Sequence, residues 1–121
     1  MDCGPACLKM VAAWYGKNIT LQTLRNLAFA GREGTSFLTL IDAATAIGMK
    51  ASGARLTCKT LVEAPLPAIL HWDQNHFVVL HRIKNGKYHL ADPAGGLVIL
   101  KEEELLKHWA STEMEGSPAG L

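Results

Sequence analysis

The hydrophobic pattern of the chain changes its period near residue 48, and this change constrains the fold more than any other feature. Up to that point apolar residues recur every three or four positions, as on one face of a helix. Beyond it they form short runs separated by Gly, Pro and Asn, as strands do. A helical half followed by a strand-rich half predicts an α+β fold, with helices packed on an antiparallel sheet.

The first helix is predicted to begin near Cys3. Pro5 suits the first helical turn because its φ is fixed at a helical value, and Gly16 marks the end of the helix. The apolar residues between them are spaced i, i+3, i+4, i+7, at Cys7, Met10, Val11 and Trp14. We therefore expect Cys3 to lie at the tip of a helix.

Two further helices have start and stop signals of their own. Thr20 is expected to cap a helix that runs through about Phe29. Ser36 is expected to cap a third helix that runs through about Ile47 and is stopped by Gly48. The apolar face of the second helix is predicted at Leu21, Leu24, Leu27 and Ala28.

Two of the predicted strands form a hairpin. Asn85-Gly86 lies between apolar runs and suits a type I′ turn, in which both central residues need φ > 0. Strands 76–83 and 87–91 should therefore be antiparallel neighbours, which brings His76 level with the residues just after Asp92. An aspartate just before a proline sits at a strand exit, where its carboxylate can accept a hydrogen bond from a neighbouring imidazole. Further strands are predicted at 49–55, 67–72 and 97–100. A final helix is predicted at 102–109, with Leu105, Leu106 and Trp109 facing inward.

Cys3 is the candidate nucleophile. A thiol at a helix N-terminus faces unpaired backbone N–H groups and the positive end of the helix dipole, which favour the thiolate. A catalytic thiolate usually also needs an imidazole and a third group that orients the imidazole, and His76 and Asp92 could supply these. Each residue also has a plainer explanation, because single cysteines, strand histidines and Asp-Pro turns are common structural features.

Composition favours a single domain. The chain has 121 residues and a formal net charge of +1 with scattered Lys and Arg, so neither nucleic acid nor a membrane surface is an expected partner. Its apolar runs are too short to span a bilayer, and no signal peptide is recognisable. Three cysteines are an odd number and too few for a disulfide framework, which indicates free thiols in a reducing compartment, with the cytoplasm as the default.

The other two cysteines are not expected to take part in chemistry. Cys3 and Cys7 could form a redox pair or half a metal site, but the redox motif has two intervening residues and no second ligand pair follows. Cys7 is instead expected to be a small buried hydrophobe, and Cys58 a loop or core residue.

Three separated segments together resemble one family. They read Asp-Cys-Gly-Pro-Ala-Cys-Leu-Lys-Met at 2–10, Asn-His-Phe-Val-Val-Leu at 75–80 and Ala-Asp-Pro-Ala at 91–94. In this order they closely resemble the bacteriocin-processing cysteine peptidases, which are papain-like domains at the N-terminus of peptidase-containing ABC transporters. The resemblance runs from about Asp2 to about Trp109. It implies the papain-like cysteine peptidase fold for 1–121, as a single peptidase domain that is a fragment of a larger transporter protein.

The resemblance implies a role for each of the three residues singled out above. Cys3 would be the nucleophile, with its backbone in the oxyanion hole; His76 would be the general base and then acid; Asp92 would orient His76.

The family also places a glutamine several residues before the cysteine, whose side-chain amide helps to form the oxyanion hole. Here only Met1 and Asp2 precede Cys3, and Gln74 is a candidate substitute only through its closeness to His76 in sequence. Loss of one oxyanion donor typically costs about 10²–10³ in turnover. The family also tends to end in a further apolar strand, which we do not recognise at 117–121.

By the same resemblance, the substrate is the leader of a bacteriocin-like or other secreted peptide, cut after a double-glycine-type motif and coupled to ABC-transporter export. The leader would bind as an amphipathic helix in an apolar groove, for which Trp72 and the loop 31–37 are candidate lining residues. The transmembrane and ATP-binding domains of the transporter would be further partners, outside this chain. This chain itself would be soluble and lie on the cytoplasmic side of the bacterial inner membrane. No cofactor, metal or nucleic acid is implied.

Two other functions remain open. One is a non-catalytic peptidase-like module that binds the cargo leader during secretion; such modules lack the cysteine, so Cys3 argues against it and the missing glutamine partly for it. The other is a cysteine acyltransferase or amidase on a related fold, which the same three residues could serve. A transferase would give a new amide or ester where a peptidase gives a free carboxylate.

Overall fold

The structure is a computed structural model that describes residues 3–28 and 36–121. The chain divides into two compact units, of which the first ends at Gly53 and the second begins at Ala54. The boundary lies close to the predicted change from helices to strands. The first unit contains helices α1 (Cys3–Trp14), α2 (Leu21–Ala28) and α3 (Phe37–Ala46), which pack against one another.

Both predicted helix caps are confirmed. Thr20 Oγ1 accepts a hydrogen bond from the Thr23 N–H at 3.1 Å. Ser36 Oγ accepts from the Thr39 N–H at 3.2 Å, while Thr39 Oγ1 accepts from the Ser36 N–H at 2.8 Å, which completes a reciprocal capping box. Gly48 follows α3 with a φ of 90°, as expected for a residue that stops a helix. The predicted end of α2, at Phe29, lies outside the described residues.

The buried face of α1 differs from the predicted one. Trp14, the last residue of the predicted apolar series, is 68% exposed. The helical spacing is right, but the buried stripe is rotated toward mostly smaller side chains, on a helix that packs against both α2 and α3. The buried residues of α1 are Gly4, Pro5, Cys7, Leu8, Val11 and Ala12.

The predicted strand at 49–55 is wrong. These residues have no strand partner, and Gly53 instead lies against α3, where an added Cβ would meet the ring of Phe37 and the side chain of Ile41. The segment Ala51-Ser-Gly-Ala-Arg55 contains no β-branched or aromatic residue that could build one face of a sheet.

The second unit contains the strands. They are β1 (Leu56–Thr57), β2 (Ala68–Trp72), β3 (His76–Lys84), β4 (Lys87–Asp92), β5 (Gly96–Lys101), β6 (Thr112–Met114) and β7 (Ser117–Gly120). The four strands β2-β3-β4-β5 form one antiparallel sheet in that order, and β1-β7-β6 form a smaller one. Residues 117–120, for which no strand was predicted, therefore pair with a strand on each side.

Two helices complete the second unit, α4 (Cys58–Leu61) and α5 (Glu102–Trp109). The prediction that α5 docks through its apolar residues is confirmed, since Leu105 and Trp109 are buried and Leu106 packs against the same core. This core holds Leu61, Leu70, Trp72, Val78, Leu80, Tyr88, Leu90, Leu105 and Trp109. It covers one face of the four-stranded sheet.

Trp109 also joins the end of the chain to this core. Its indole Nε1–H donates to the carbonyl oxygen of Leu121 at 2.8 Å. Gly120 packs so closely on Trp109 that an added Cβ would meet both the backbone oxygen and the indole ring. A glycine at 120 therefore lets β7 lie directly on α5.

Candidate active site

The hairpin of β3 and β4 brings His76 and Asp92 together. Asn85 and Gly86 have φ values of 53° and 73°, as a type I′ turn requires. His76 is the first residue of β3 and Asp92 is the last residue of β4, so both lie at the end of the hairpin opposite the turn. The two residues meet there, as the hairpin predicted.

A β-bulge lies between the turn and these two residues. Next to the turn, Ile83 pairs with Tyr88, whereas further along Leu80 pairs with Leu90. The register shifts by one because His81 is an extra residue on β3 without a partner on β4. No glycine or proline marks the bulge, so no local signal in the sequence predicted it.

The bulge decides which face of the sheet each side chain occupies. Side chains alternate along a strand, so a register change of one residue moves a whole strand segment to the other face. Beyond the bulge, even-numbered residues of β3 pair with even-numbered residues of β4, as Leu80 does with Leu90. His76 and Asp92 are both even-numbered and therefore share a face. A regular hairpin would have placed them on opposite faces.

The contact between the two side chains is short. His76 Nε2 lies 2.6 Å from Asp92 Oδ1, and the two side chains are only 19% and 22% exposed. This distance is in the range of charge-assisted hydrogen bonds. Asp92 therefore engages the Nε2 atom of the imidazole rather than Nδ1.

Backbone groups after Asp92 hold its carboxylate in place. The Ala94 N–H donates to Asp92 Oδ1 at 2.9 Å, and Gly95 approaches the same side chain closely. Partial burial raises the pKa of Asp92, but the hydrogen bonds from His76 and from the backbone of Ala94 and Gly95 outweigh it, so the pKa lies below its ordinary value. The carboxylate is therefore ionised at neutral pH. Aspartate commonly accepts from the backbone two residues on, so this contact could have been predicted from sequence.

Cys3 is the first residue of α1 and is partly buried, in the first of the two units. Cys7 is completely buried, which confirms the prediction of a small core residue, and Cys58 packs against the core of the second unit. All three cysteines are thiols rather than disulfides. The structure thus brings His76 and Asp92 together within one unit, whereas Cys3 belongs to the other.

The remaining predicted site residues have different positions. Gln74 lies in the turn between β2 and β3 with a φ of 61°. Trp72, a candidate for the leader groove, is only 6% exposed and belongs to the core, because β2 turns its side chain toward α5. Of the loop 31–37, Ser36 caps α3 and Phe37 begins it, and 31–35 lie outside the described residues.

A second pair of side chains was not predicted from sequence. His108 on α5 contacts Asp73, at the turn that leads into His76, through Nδ1 and Oδ1 at 2.8 Å. The two residues are 35 positions apart, and no local pattern connects them.

The thiol of Cys58 lies beside the buried hydroxyl of Tyr88. Burial raises the pKa of Cys58, and a hydrogen bond with Tyr88 lowers it by a smaller amount. Burial also raises the pKa of Tyr88, and the neighbouring Cys58 adds to the effect. Both groups are therefore neutral at physiological pH.

Across residues 3–28 and 36–121, no helix is long and apolar enough to cross a membrane. Within the same ranges, no three His, Cys, Asp or Glu residues are grouped as a metal site would require.

The chain is similar to several known proteins. The probable microcin-H47 secretion/processing ATP-binding protein of Escherichia coli is 36% identical over 117 residues, which are 97% of this chain and 17% of that protein. Among solved structures, a double glycine motif protease from an AMS/PCAT transporter, in complex with the leader peptide, matches with a TM-score of 0.82 and 34% identity, over 98% of this chain and 81% of that one. The peptidase domain of Streptococcus ComA, a bi-functional ABC transporter, matches with a TM-score of 0.74 and 26% identity, over 98% of this chain and 88% of that one.

These likenesses confirm the α+β fold of the peptidase domains that the sequence resembles. The chain spans less than a fifth of the length of the curated transport proteins that it matches. The model of the Peptidase C39 family matches residues 1–119, nearly the whole sequence. The chain therefore belongs to the Peptidase C39 family.

Proposed function

We propose that this chain is the peptidase domain of a larger transporter protein and cuts the leader of a secreted peptide after a double-glycine-type motif. Membership of the Peptidase C39 family supports a cysteine peptidase. The relatives that process and export bacteriocins, and the solved neighbour with its leader peptide bound, support this class of substrate. The proposed partners are the leader and the transmembrane and ATP-binding domains of the transporter. The peptidase domain itself would lie at the cytoplasmic face of the membrane.

The observation that carries the proposal is the 2.6 Å contact between His76 Nε2 and Asp92 Oδ1. This contact supports the proposal because a catalytic imidazole needs an acidic partner that fixes its tautomer and orientation. We assign Cys3 as the nucleophile because it is the first residue of α1 and stands at the cysteine position of the family motif that the sequence resembles.

In the proposed reaction the Cys3 sulfur acts as a thiolate and His76 carries a proton on Nδ1. The sulfur attacks the carbonyl carbon of the second glycine, and the carbonyl electron pair moves to the oxygen. This oxygen accepts a hydrogen bond from the backbone N–H of Cys3. His76 Nδ1 then gives its proton to the leaving nitrogen as the carbon–nitrogen bond breaks. The cargo departs with a new N-terminal amine and the leader remains as a thioester.

Water completes the reaction. His76 Nδ1 takes a proton from a water molecule, whose oxygen attacks the thioester carbon. The leader departs with a free carboxylate, and the thiolate is restored. Asp92 stays ionised throughout and stabilises the imidazolium at both stages, which is the role of the acid residue in Cys-His and Ser-His systems.

The proposed oxyanion hole also needs a second donor. The family pattern uses a side-chain amide, and Gln74 is the glutamine nearest to His76 in sequence. If Gln74 takes this role, its replacement by alanine should lower turnover by about 10²–10³. An unchanged turnover would exclude Gln74 and direct attention to a glutamine upstream of Cys3 in a longer form of the protein.

The test of the function is cleavage of a synthetic leader that ends in Gly-Gly and is joined to a short cargo. Wild-type protein and Cys3→Ala are incubated with this peptide, and the fragments are identified by mass spectrometry. Cleavage after the second glycine, with a free carboxylate and only in the wild type, is the expected result. Equal cleavage by Cys3→Ala would refute the assignment, and binding without cleavage would favour a cargo-docking module.

A further inference from the structure

A histidine at the end of α5 holds the turn that leads into His76. The turn covers residues 73–75 and joins Trp72, the last residue of β2, to His76, and these two residues are themselves partners across the strands. His76 is thus the first residue of β3 after the turn, and it pairs with the last residue of β2. Its position depends on the shape of the turn more directly than that of any residue further along β3.

The turn has an unusual backbone. Asp73 and Gln74 have φ values of 50° and 61°, in the left-handed region that glycine favours, and neither is glycine. Single residues of this kind cost free energy and persist only where the surroundings hold them. Two in succession, with no glycine in the turn, are therefore favoured by a restraint from outside the turn.

His108 supplies this restraint through three contacts. Its carbonyl oxygen accepts the Asp73 N–H at 2.7 Å. Its ring Nδ1 lies 2.8 Å from Asp73 Oδ1. Its ring also stacks on Trp72, with the ring centres 5.1 Å apart and the planes 10° from parallel.

The helix that carries His108 is firmly anchored. The next residue, Trp109, is 2% exposed and belongs to the core of the second unit. His108 and Asp73 are themselves about half exposed, at 45% and 51% of their side-chain surface, so their contact contributes little to overall stability. A contact that contributes little to stability but fixes one strained turn is suited to positioning the residue that follows the turn, which is His76.

We propose that Asp73 and His108 are positioning residues for His76, which they hold in the orientation that the Asp92 contact requires. This proposal rests on the proposed peptidase function, in which His76 is the base. A small misplacement of a catalytic group can lower the rate strongly even when the fold is intact. The pair acts on His76 through the turn and does not contact the substrate.

Four variants test the proposal by steady-state cleavage of the Gly-Gly leader peptide. His108→Ala removes the ring and should lower kcat about tenfold, with KM changed less than twofold. His108→Asn places an amide N–H close to the position of Nδ1 and should restore kcat to within about twofold of the wild type. Asp73→Gly removes the carboxylate and also relieves the strained φ, so it should lower kcat without loss of thermal stability. Lys107→Gln, an exposed neighbour on α5, is the matched control and should leave kcat unchanged.

The outcomes separate positioning from a purely structural role. A lower kcat in His108→Ala and Asp73→Gly with rescue in His108→Asn supports the proposal. An unchanged kcat in Asp73→Gly, or a change confined to KM, overturns it. If His108→Ala does not fold, Asp73→Gly carries the test, because glycine suits the backbone of the turn.

A second readout does not depend on cleavage. The proton between His76 and Asp92 should give a downfield NMR resonance, as expected for a hydrogen bond of 2.6 Å. Loss or a shift of this resonance in His108→Ala and Asp73→Gly supports the positioning role, and an unchanged resonance overturns it. If the wild type fails to cut the leader, the proposed function fails, while this measurement still decides whether the pair positions His76.

Discussion

Replacement of Asp92 by asparagine and by alanine should have different effects on catalysis, because the backbone of the following turn orients the side chain. Asp92 Oδ1 accepts from His76 Nε2 at 2.6 Å and from the Ala94 N–H at 2.9 Å. In Asp92→Asn the Ala94 N–H still requires an acceptor. It should therefore keep the amide oxygen, rather than the amide nitrogen, turned toward His76.

The magnitudes follow from the strength of this hydrogen bond. A hydrogen bond to a charged group contributes about 1.5–3 kcal/mol, so Asp92→Ala should lower kcat by about 10- to 10²-fold. A neutral hydrogen bond has about half the strength of a charge-assisted one. Asp92→Asn should therefore lose about 0.7–1.5 kcal/mol, or about three- to tenfold in kcat.

The assay is cleavage of the Gly-Gly leader peptide at saturating substrate, with fragments quantified by liquid chromatography and mass spectrometry. Glu113→Gln on β6 removes an exposed carboxylate and serves as the control, with no change expected. Equal losses in the two Asp92 variants would show that the Ala94 N–H does not fix the orientation of the side chain. An unchanged kcat in Asp92→Ala would show that His76 acts without Asp92 and would rule out the proposed role of this carboxylate.

Three further predictions concern stability and reactivity. The pKa of Asp92 lies below its ordinary value of 3.8 in the folded protein, so the contribution of Asp92 to stability is complete above that value and is lost as the pH falls through the folded pKa. The difference in unfolding free energy between wild type and Asp92→Asn should therefore be constant above about pH 5 and shrink below about pH 4. Urea titrations at a series of pH values measure this difference. Because burial raises the pKa of Cys58, its alkylation by iodoacetamide at pH 8, followed by peptide mass mapping, should be slower in the folded than in the urea-unfolded protein; equal rates would contradict the burial argument. Gly120→Ala should destabilise the protein by about 1–3 kcal/mol because its Cβ would meet Trp109, whereas the exposed Ser117→Ala on the same strand should have little effect, and similar melting temperatures for both variants would count against this packing.

Features of the fold with local signals were predicted correctly from sequence. Thr20 and Ser36 mark helix starts because their hydroxyls satisfy backbone donors within the next three residues, and the Asn85-Gly86 turn follows from the backbone conformation of those two residues alone. The hairpin in turn predicted that His76 and Asp92 would meet.

Features that depend on distant partners were missed. β1 is only two residues long and exists because Leu56 and Thr57 pair with Gly120 and Ala119, more than 60 positions away. The contact between Asp73 and His108 likewise joins two elements that only the folded core brings together. The strand predicted at 49–55 failed for the complementary reason, since local extension without a neighbouring strand does not make a sheet.

The β-bulge at His81 has a consequence for how this hairpin can vary among related sequences. Because the extra residue sets which face His76 occupies, the number of residues in the hairpin matters more than the identity of residue 81. Substitutions at 81 should therefore be common in functional relatives. A gap or insertion of one residue between 77 and 91 should be absent from them. A single-residue change in length would be tolerated only where a second one in the same hairpin returns the imidazole and the carboxylate to a common face.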